Sequence, residues 1–140
     1  ALLLLELFRT ISYGERRKEK MRFTVPGHPV PAVRMTQRGK FIKKAAGRYL
    51  AYKNQVAWEA KAAKRKAGLK MFTGAVEVIA TAYIYGNKSG DADNLAKAFL
   101  DAMNGIVWID DRQVTDLTIR KRKVSSKDEE RAEIEVREVK

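Results

Sequence analysis

The chain has 140 residues and a formal net charge of +12 at pH 7, with 29 Lys and Arg residues against 17 Asp and Glu residues. It contains no Cys and one His, which excludes disulfide scaffolds, thiolate zinc sites and cysteine nucleophiles and leaves little for a histidine triad. The length indicates one domain, and the charge favours a phosphate-rich partner, with an anionic membrane surface as the competing explanation.

The first twenty residues differ from the rest, because an apolar opening is followed by a dense run of charges. The run from Leu2 to Leu5 is too short to span a bilayer, and the segment lacks the basic leader and cleavage site of a secretory signal. We therefore expect residues 1–20 to be an added or upstream-derived extension with no part in catalysis. The single domain is expected over residues 21–140, and the lack of Cys is compatible with a reducing cytoplasm.

The next segment predicts a strand and then a basic loop. Met21 to Val25 has a short strand pattern, and the prolines from Pro26 to Pro31 predict an extended, turn-rich exit in which His28 is a loop residue. The basic residues that follow favour a loop that becomes ordered on DNA, although a plain surface loop has the same composition. The predicted DNA-binding residues are Arg34, Arg38, Lys40, Lys43, Lys44 and Arg48, joined by Lys88 from a later loop.

Two further elements precede the central stretch. From Tyr49 to about Gly68, small and aromatic residues recur at helical spacing, which predicts an amphipathic helix with a cationic outer face. Trp58, on this helix, is expected in the core or at a dimer surface. From Ala75 to Tyr85, alternation with a period of two predicts a strand that is covered over much of its surface.

The stretch from Gly90 to Val114 organises the rest of the chain. Its apolar residues fall at three- and four-residue steps and predict a helix of roughly a dozen residues, about 18 Å long. One acidic pair, Asp91 and Asp93, precedes or opens this helix, and another, Asp110 and Asp111, follows it. We expect a return loop to bring the second pair back towards the first and to form one acidic pocket.

An acidic pocket in a basic chain favours metal-assisted phosphodiester hydrolysis. Mg²⁺ takes oxygen ligands, usually one or two carboxylates with waters and substrate phosphate, and a basic surface attracts the phosphate. Lys97, one helical turn after Asp93, is placed to neutralise charge on that phosphate. Simpler interpretations stay open. Either Asp91 or Asp93 fits a helix cap, and Asp110 and Asp111 both fit turn residues. Lys97 fits a solvated helix residue with Asp101 as its partner one turn on.

Two strand patterns, Val114 to Lys123 and Ala132 to Val139, end the sequence and are joined by a polar connection. The order strand, helix, strand, helix, strand, strand predicts an α+β fold, with a small mixed sheet and both helices on one face. The open sheet face or the helix margins then need a partner, which a symmetric homodimer provides.

The same stretches resemble the RusA family of Holliday-junction resolvases, which are small bacterial and phage endonucleases. Three motifs carry the resemblance: D-x-D-N-L-x-K from Asp91, W-x-D-D-x-Q-V from Trp108, and FTVPGHPVPAVR from Phe23 to Arg34. The resemblance begins at Met21, which is a further reason to treat residues 1–20 as an extension.

The resemblance implies a homodimer that nicks two opposed strands of a four-way DNA junction during recombination and repair. It also implies that Asp91, Asp93 and Asp111 bind Mg²⁺ or Mn²⁺ and that Lys97 assists catalysis. We expect Asp110 to be an outer or alternate ligand of the same ion. Two rivals stay open: a non-catalytic basic nucleic-acid-binding module, and a nuclease for RNA or for other branched DNA such as flaps or forks.

Overall fold

The computed structural model describes residues 19–33 and 43–139, except for the side chain of Lys43. Most of the predicted extension, and Arg34, Arg38 and Lys40 of the predicted DNA-binding set, lie outside the described residues. The elements are β1 (Lys20–Pro26), α1 (Lys43–Ala67), β2 (Val76–Ile84), α2 (Ala92–Met103), β3 (Val114–Lys123) and β4 (Arg131–Glu138). Short 3₁₀ helices at Asp111–Gln113 and Lys127–Glu129 precede β3 and β4.

The four strands form one mixed sheet in the order β1-β4-β2-β3. β4 is antiparallel to both of its neighbours, whereas β2 and β3 run parallel, with α2 in the crossover between them. Val76 pairs with Val114 at the start of the parallel pair, and Ile84 pairs with Lys123 at its end. The loop after β2 therefore lies at one end of the sheet, and the connection that leads into β3 lies at the other.

The core lies between one face of the sheet and the two helices. Alternate residues of β2 from Val76 to Ile84 are buried, and they share one apolar cluster with Val56 of α1 and Phe99 of α2. Successive side chains of a strand point to opposite faces, so the half-buried residues between them lie on the other face. That face is polar where it carries pairs such as Arg22 with Glu135. Both helices thus pack on the same side.

The predicted α+β class and mixed sheet are confirmed, while details of the element order differ. The sequence pattern does not predict the two 3₁₀ helices. α1 begins at Lys43 rather than Tyr49, because Lys, Ala and Arg favour a helix and one Gly costs only about 1 kcal/mol. The predicted basic loop is therefore wrong for Lys44 and Arg48, which lie in the first turns of α1. The homodimer stays a prediction.

No helix within the described ranges combines the length and the apolar character needed to cross a bilayer.

Candidate active site

The loop between β2 and α2 carries the first acidic pair. Gly86 turns the backbone just after β2 with a φ of +84°, a conformation that residues with a side chain rarely adopt. Asp91 is the N-cap residue of α2, with φ −65° and ψ 145°, and its side chain makes no capping hydrogen bond. Its backbone carbonyl accepts from the N–H of Leu95 at 3.0 Å. The exposed Asp91 carboxylate is therefore not used to cap the helix.

Asp93 and Lys97 lie one turn apart on the outer side of α2, and both side chains are exposed. Oδ1 of Asp93 accepts from the backbone N–H of Asn94 at 3.0 Å, which engages one of its two oxygens. On the opposite side of the helix, Leu95 and Phe99 are buried in the core. The helix thus docks its apolar side on the sheet, as predicted, and presents the acid and the lysine to the surface.

The proline-rich segment after β1 packs directly on this loop. A Cβ at Gly90 would lie 2.5 Å from Cγ of Pro31, so only glycine fits at this position. Ala32 donates its backbone N–H to the carbonyl oxygen of Asn94 at 2.9 Å. The segment therefore lies against the start of α2, next to Asp91, and any side chain at Gly90 would push the two apart.

Lys121, near the end of β3, reaches the same loop and is a residue that sequence reasoning missed. Its ammonium group donates to Oγ of Ser89 at 3.3 Å and to the carbonyl oxygen of Gly90 at 3.1 Å. The basic row from Arg120 to Lys123 is visible in the sequence, but the pairing of β2 with β3 decides which member reaches the loop. One cation is thereby fixed next to Asp91.

The second acidic pair lies in the connection between α2 and β3. Oδ1 of Asp111 accepts from Nε1 of Trp108 at 2.8 Å, and Trp108 is fully buried. Asp110 caps the 3₁₀ helix by accepting from the backbone N–H of Arg112 at 3.0 Å, and it pairs with the Arg112 guanidinium at 3.2 Å. The backbone bond first, and the side-chain bond second, hold the pKa of Asp110 below its usual range. Both carboxylates therefore brace this connection.

Gln113 fastens the connection to the start of the sheet. Its amide oxygen accepts from the backbone N–H of Ile109 at 2.8 Å and of Asp110 at 3.0 Å. Its amide nitrogen donates to the carbonyl oxygens of Phe72 and Gly74, each at 2.9 Å. Both donors and both acceptor positions of the amide are thus used, which gives the Gln of the W-x-D-D-x-Q-V motif a structural role.

The two acidic pairs lie at opposite ends of α2, so the expected fold-back within one chain is wrong. α2 has 12 residues and spans about 18 Å. Because β2 and β3 are parallel, Asp91 lies at the end of both strands, whereas Asp111 lies just before the start of β3. Among the residues that the structure describes, no three Asp, Glu or His side chains lie close enough to hold a metal ion. One chain brings Asp91 and Asp93 together, and the metal-ligand roles of the four acids stay predictions.

The predicted DNA-binding residues with described side chains are Lys44, Arg48 and Lys88, and all three are exposed. Arg48 and Lys88 line one cleft together with His28 and Gly90, so this cleft, here called the His28 cleft, lies next to Asp91. The rest of the predicted set, Arg34, Arg38, Lys40 and the side chain of Lys43, lies outside the described part of the chain.

The structure also decides between the roles that the sequence left open for Asp101 and for Trp58. Asp101 accepts from the hydroxyl of Tyr49 at 2.9 Å, so it links α2 to α1 instead of serving Lys97. Burial, and next the bond to Asp101, raise the pKa of Tyr49 to about 12. Trp58 is 66% exposed, which excludes the core position and leaves the surface one.

Comparison with protein-family models decides the family. The model described as endodeoxyribonuclease RusA matches residues 26–137, which is most of the chain and includes both acidic pairs. The chain belongs to the RusA family. A comparison with curated proteins found no match.

Membership of the RusA family confirms the resemblance predicted from the three motifs, and it supports a nuclease that cuts within DNA strands. The matched range starts at Pro26 and ends within β4, so it covers the sheet except most of β1 and the last residue of β4.

Proposed function

We propose that this protein is a metal-dependent, structure-selective endonuclease that resolves Holliday junctions by paired, symmetric nicks. The observation that carries the proposal is the start of α2, where the exposed carboxylates of Asp91 and Asp93 stand near Lys97 and Lys121. The endodeoxyribonuclease family supports phosphodiester hydrolysis as the reaction. The proposed setting is recombination and repair of DNA in the cytoplasm.

The proposed cofactor is Mg²⁺, which Mn²⁺ can replace. Asp91 is not used as a cap, and Asp93 has one oxygen free of the Asn94 N–H, so both fit an ion that is usually bound through one or two carboxylates. When bound, the ion would supply Lewis-acid polarisation of the scissile phosphate. Lys97 would donate to a phosphate oxygen and stabilise the negative charge that develops as water attacks and the 3′-hydroxyl leaves.

The distance between the two acidic pairs supports a composite site in a symmetric homodimer. Within one chain, Asp111 lies about the length of α2 from Asp91. A two-fold axis can bring the α2–β3 connection of one copy to the start of α2 in the other, because such an interface is reciprocal. Asp111 of a second copy, with Asp110 as the alternate ligand, would then complete the ligand set. Two identical sites arise at once, as paired nicks require.

Branched DNA is the proposed substrate. The net charge of +12 favours a polyanion whose phosphates release counterions on binding. Lys44, Arg48 and Lys88 are the proposed DNA contacts with described side chains, and Arg34, Arg38, Lys40 and Lys43 complete the proposed set. Phosphate contacts carry no sequence information, so the choice of a junction over linear duplex would come from the spacing of the two sites.

The direct test is cleavage of a synthetic four-way junction, beside linear duplex and single-strand controls, with Mg²⁺, with Mn²⁺ and with a chelator. We expect paired symmetric nicks in the junction alone, and none in the chelator. Tight junction binding without cleavage in either metal would favour the non-catalytic binding module. Equal cleavage of flaps and forks would favour a broader branched-DNA nuclease.

Mixing two inactive variants tests the composite site. Asp93→Asn and Asp111→Asn homodimers would each lack one ligand at both sites. If the sites are shared between copies, a mixed dimer keeps one intact site, because the copy with Asp111→Asn supplies Asp93 and its partner supplies Asp111. Single nicks should therefore reappear after subunit exchange. A mixture that stays inactive, with exchange verified by size-tagged subunits, would place each site within one chain.

A further inference from the structure

His28 and Glu130 form a pair that the proposed reaction does not use. Nδ1 of His28 lies 2.5 Å from Oε2 of Glu130, and the same oxygen accepts the backbone N–H of Tyr85 at 3.1 Å. The Glu130 side chain is only 5% exposed. The pair therefore joins the proline-rich segment, the end of β2 and the start of β4 around one buried carboxylate.

Glu130 is held as a carboxylate by these partners. Burial raises the pKa of Glu130, but the bonds from His28 and from the Tyr85 N–H, with the charge of Lys127, more than offset it and leave this pKa below its usual value. An ionised carboxylate at Nδ1 fixes a proton on that nitrogen of His28. The other ring nitrogen, Nε2, is then left for a different partner.

The remaining part of the His28 ring is accessible at the active-site end of the molecule. The side chain is 42% exposed and lines the His28 cleft with Arg48, Lys88 and Gly90. Gly90 immediately precedes Asp91, so the cleft starts one residue from the proposed metal ligands. A buried carboxylate thus orients an imidazole into a cleft that also holds two exposed cations.

We propose that the His28 cleft is a phosphate subsite. It binds a backbone phosphodiester of the DNA strand, next to the phosphodiester that is cut. In the bound state His28 donates from Nδ1 to Glu130 and from Nε2 to a phosphate oxygen. Arg48 and Lys88 add charge-assisted contacts to neighbouring phosphates of the same strand. Glu130 is a positioning residue. That this phosphodiester belongs to a DNA strand being cut rests on the proposed function.

Junction binding in a chelator, measured over a range of salt concentrations, tests the subsite apart from cleavage. We expect His28→Gln to weaken binding about tenfold, as loss of a charged hydrogen bond does. The slope of log affinity against log salt should shrink by about 0.9 for each chain bound, since one phosphate is no longer neutralised. Lys20→Gln, at an exposed position on the sheet face away from the helices, is the matched control and should keep native binding to within about twofold.

Two further variants separate binding from a merely structural role. His28→Lys keeps a cation beside Glu130 and should retain native affinity and slope. Glu130→Gln should weaken binding, and adding it to His28→Gln should cause no further loss, because both act on one contact. If His28→Gln does not fold, Lys88→Gln tests the cleft at an exposed position and should also lower the slope.

Native affinity and slope in His28→Gln or in Lys88→Gln would overturn the subsite. This result is distinguishable from failure of the proposed function, because no metal or cleavage is involved in the measurement. A native protein that binds junctions but never cuts them would remove the proposed function, whereas the loss of slope in His28→Gln would still establish the subsite.

Discussion

The two ends of α2 carry the same residue type in opposite circumstances. At the start, Asp91 makes no capping bond and, among the residues that the structure describes, Asp93 accepts only from its neighbour's N–H; both are exposed. At the far end, Asp110 accepts from the N–H and guanidinium of Arg112, and Asp111 accepts from a buried indole. An aspartate with few structural partners is free to bind a ligand, whereas one that satisfies buried donors holds the backbone in place.

The surroundings of the two ends differ as well. The start of α2 lies at the end of the parallel strands β2 and β3, where Lys121 fixes the loop and Lys88 is exposed. Loops at the carboxyl ends of parallel strands are common binding sites, because the rigid sheet positions them. The far end is instead tied to the sheet by Gln113. The start of α2 thus has exposed acids with few hydrogen bonds, and the far end has acids that hold the backbone in place; the following variants test this difference.

Asp93→Asn changes a proposed metal ligand at the start of α2 and has the largest expected effect. Asn removes the charge that a hard cation requires, so we expect junction cleavage in Mg²⁺ to fall about a hundredfold or more. The free energy of unfolding in urea should change by about 1 kcal/mol or less, since the side chain is exposed. Asp116→Asn makes the same charge change at an exposed position on β3 and should leave cleavage unaltered. Native cleavage by Asp93→Asn would exclude a role for Asp93 as a metal ligand.

Gln113→Ala removes the hydrogen bonds that hold the connection between α2 and β3, and it should mainly lower the free energy of unfolding. The side chain makes four hydrogen bonds to backbone groups, and each net bond is worth about 1 kcal/mol, so we expect a loss of about 2–4 kcal/mol in urea unfolding. Gln55→Ala is the matched control, because Gln55 makes one bond, to the carbonyl oxygen of Pro26 at 2.8 Å. Equal losses in the two variants would show that the connection between α2 and β3 is held by other contacts.

Asp111 has both a structural hydrogen bond to Trp108 and a proposed role in metal binding. Two substitutions separate these roles. Asp111→Ala leaves the buried Nε1–H of Trp108 without its acceptor and should cost about 1–3 kcal/mol of stability. Asp111→Asn keeps an acceptor oxygen and should be nearly as stable as the native protein, yet lose cleavage. Urea unfolding and junction cleavage report the two properties. Full cleavage by a stable Asp111→Asn protein would leave Asp111 with the bracing role alone.

The parts of the fold that local pattern determines were predictable from the sequence. Apolar spacing marks α2 closely, with Gly90 before it and Gly105, at φ +78°, after it. The strand from Val114 to Lys123 has the predicted bounds, because alternation and flanking polar residues are local signals. The first acidic pair likewise lies where its position before a helix indicates.

The parts that depend on long-range pairing were not predictable. The parallel arrangement of β2 and β3 separates Asp91 from Asp111, and no local pattern distinguishes a crossover from a fold-back. The same pairing selects Lys121 from a row of four basic residues. His28 and Glu130 are 102 residues apart in sequence, so their contact has no local signature. Sequence motifs therefore name the candidate site residues, while the topology decides which of them meet.

The smallest expected effect is on the pH dependence of stability in acid. It compares two hydrogen-bonded carboxylates, one near each end of α2. Glu130, near the start, is buried, and Asp110, near the far end, is accessible; both have a pKa below the usual range. A carboxylate whose pKa is lower in the folded state stabilises the fold at pH values above the pKa of the unfolded state, which is 4.5 for Glu130. This stabilisation is lost as the pH falls through the folded-state pKa. We therefore expect Glu130→Gln to reduce the loss of stability in acid more than Asp110→Asn does, because a buried carboxylate is screened less by solvent. Urea unfolding from pH 7 to below pH 4 measures this, and equal pH dependence in the two variants would show that the buried brace contributes no more than the exposed one.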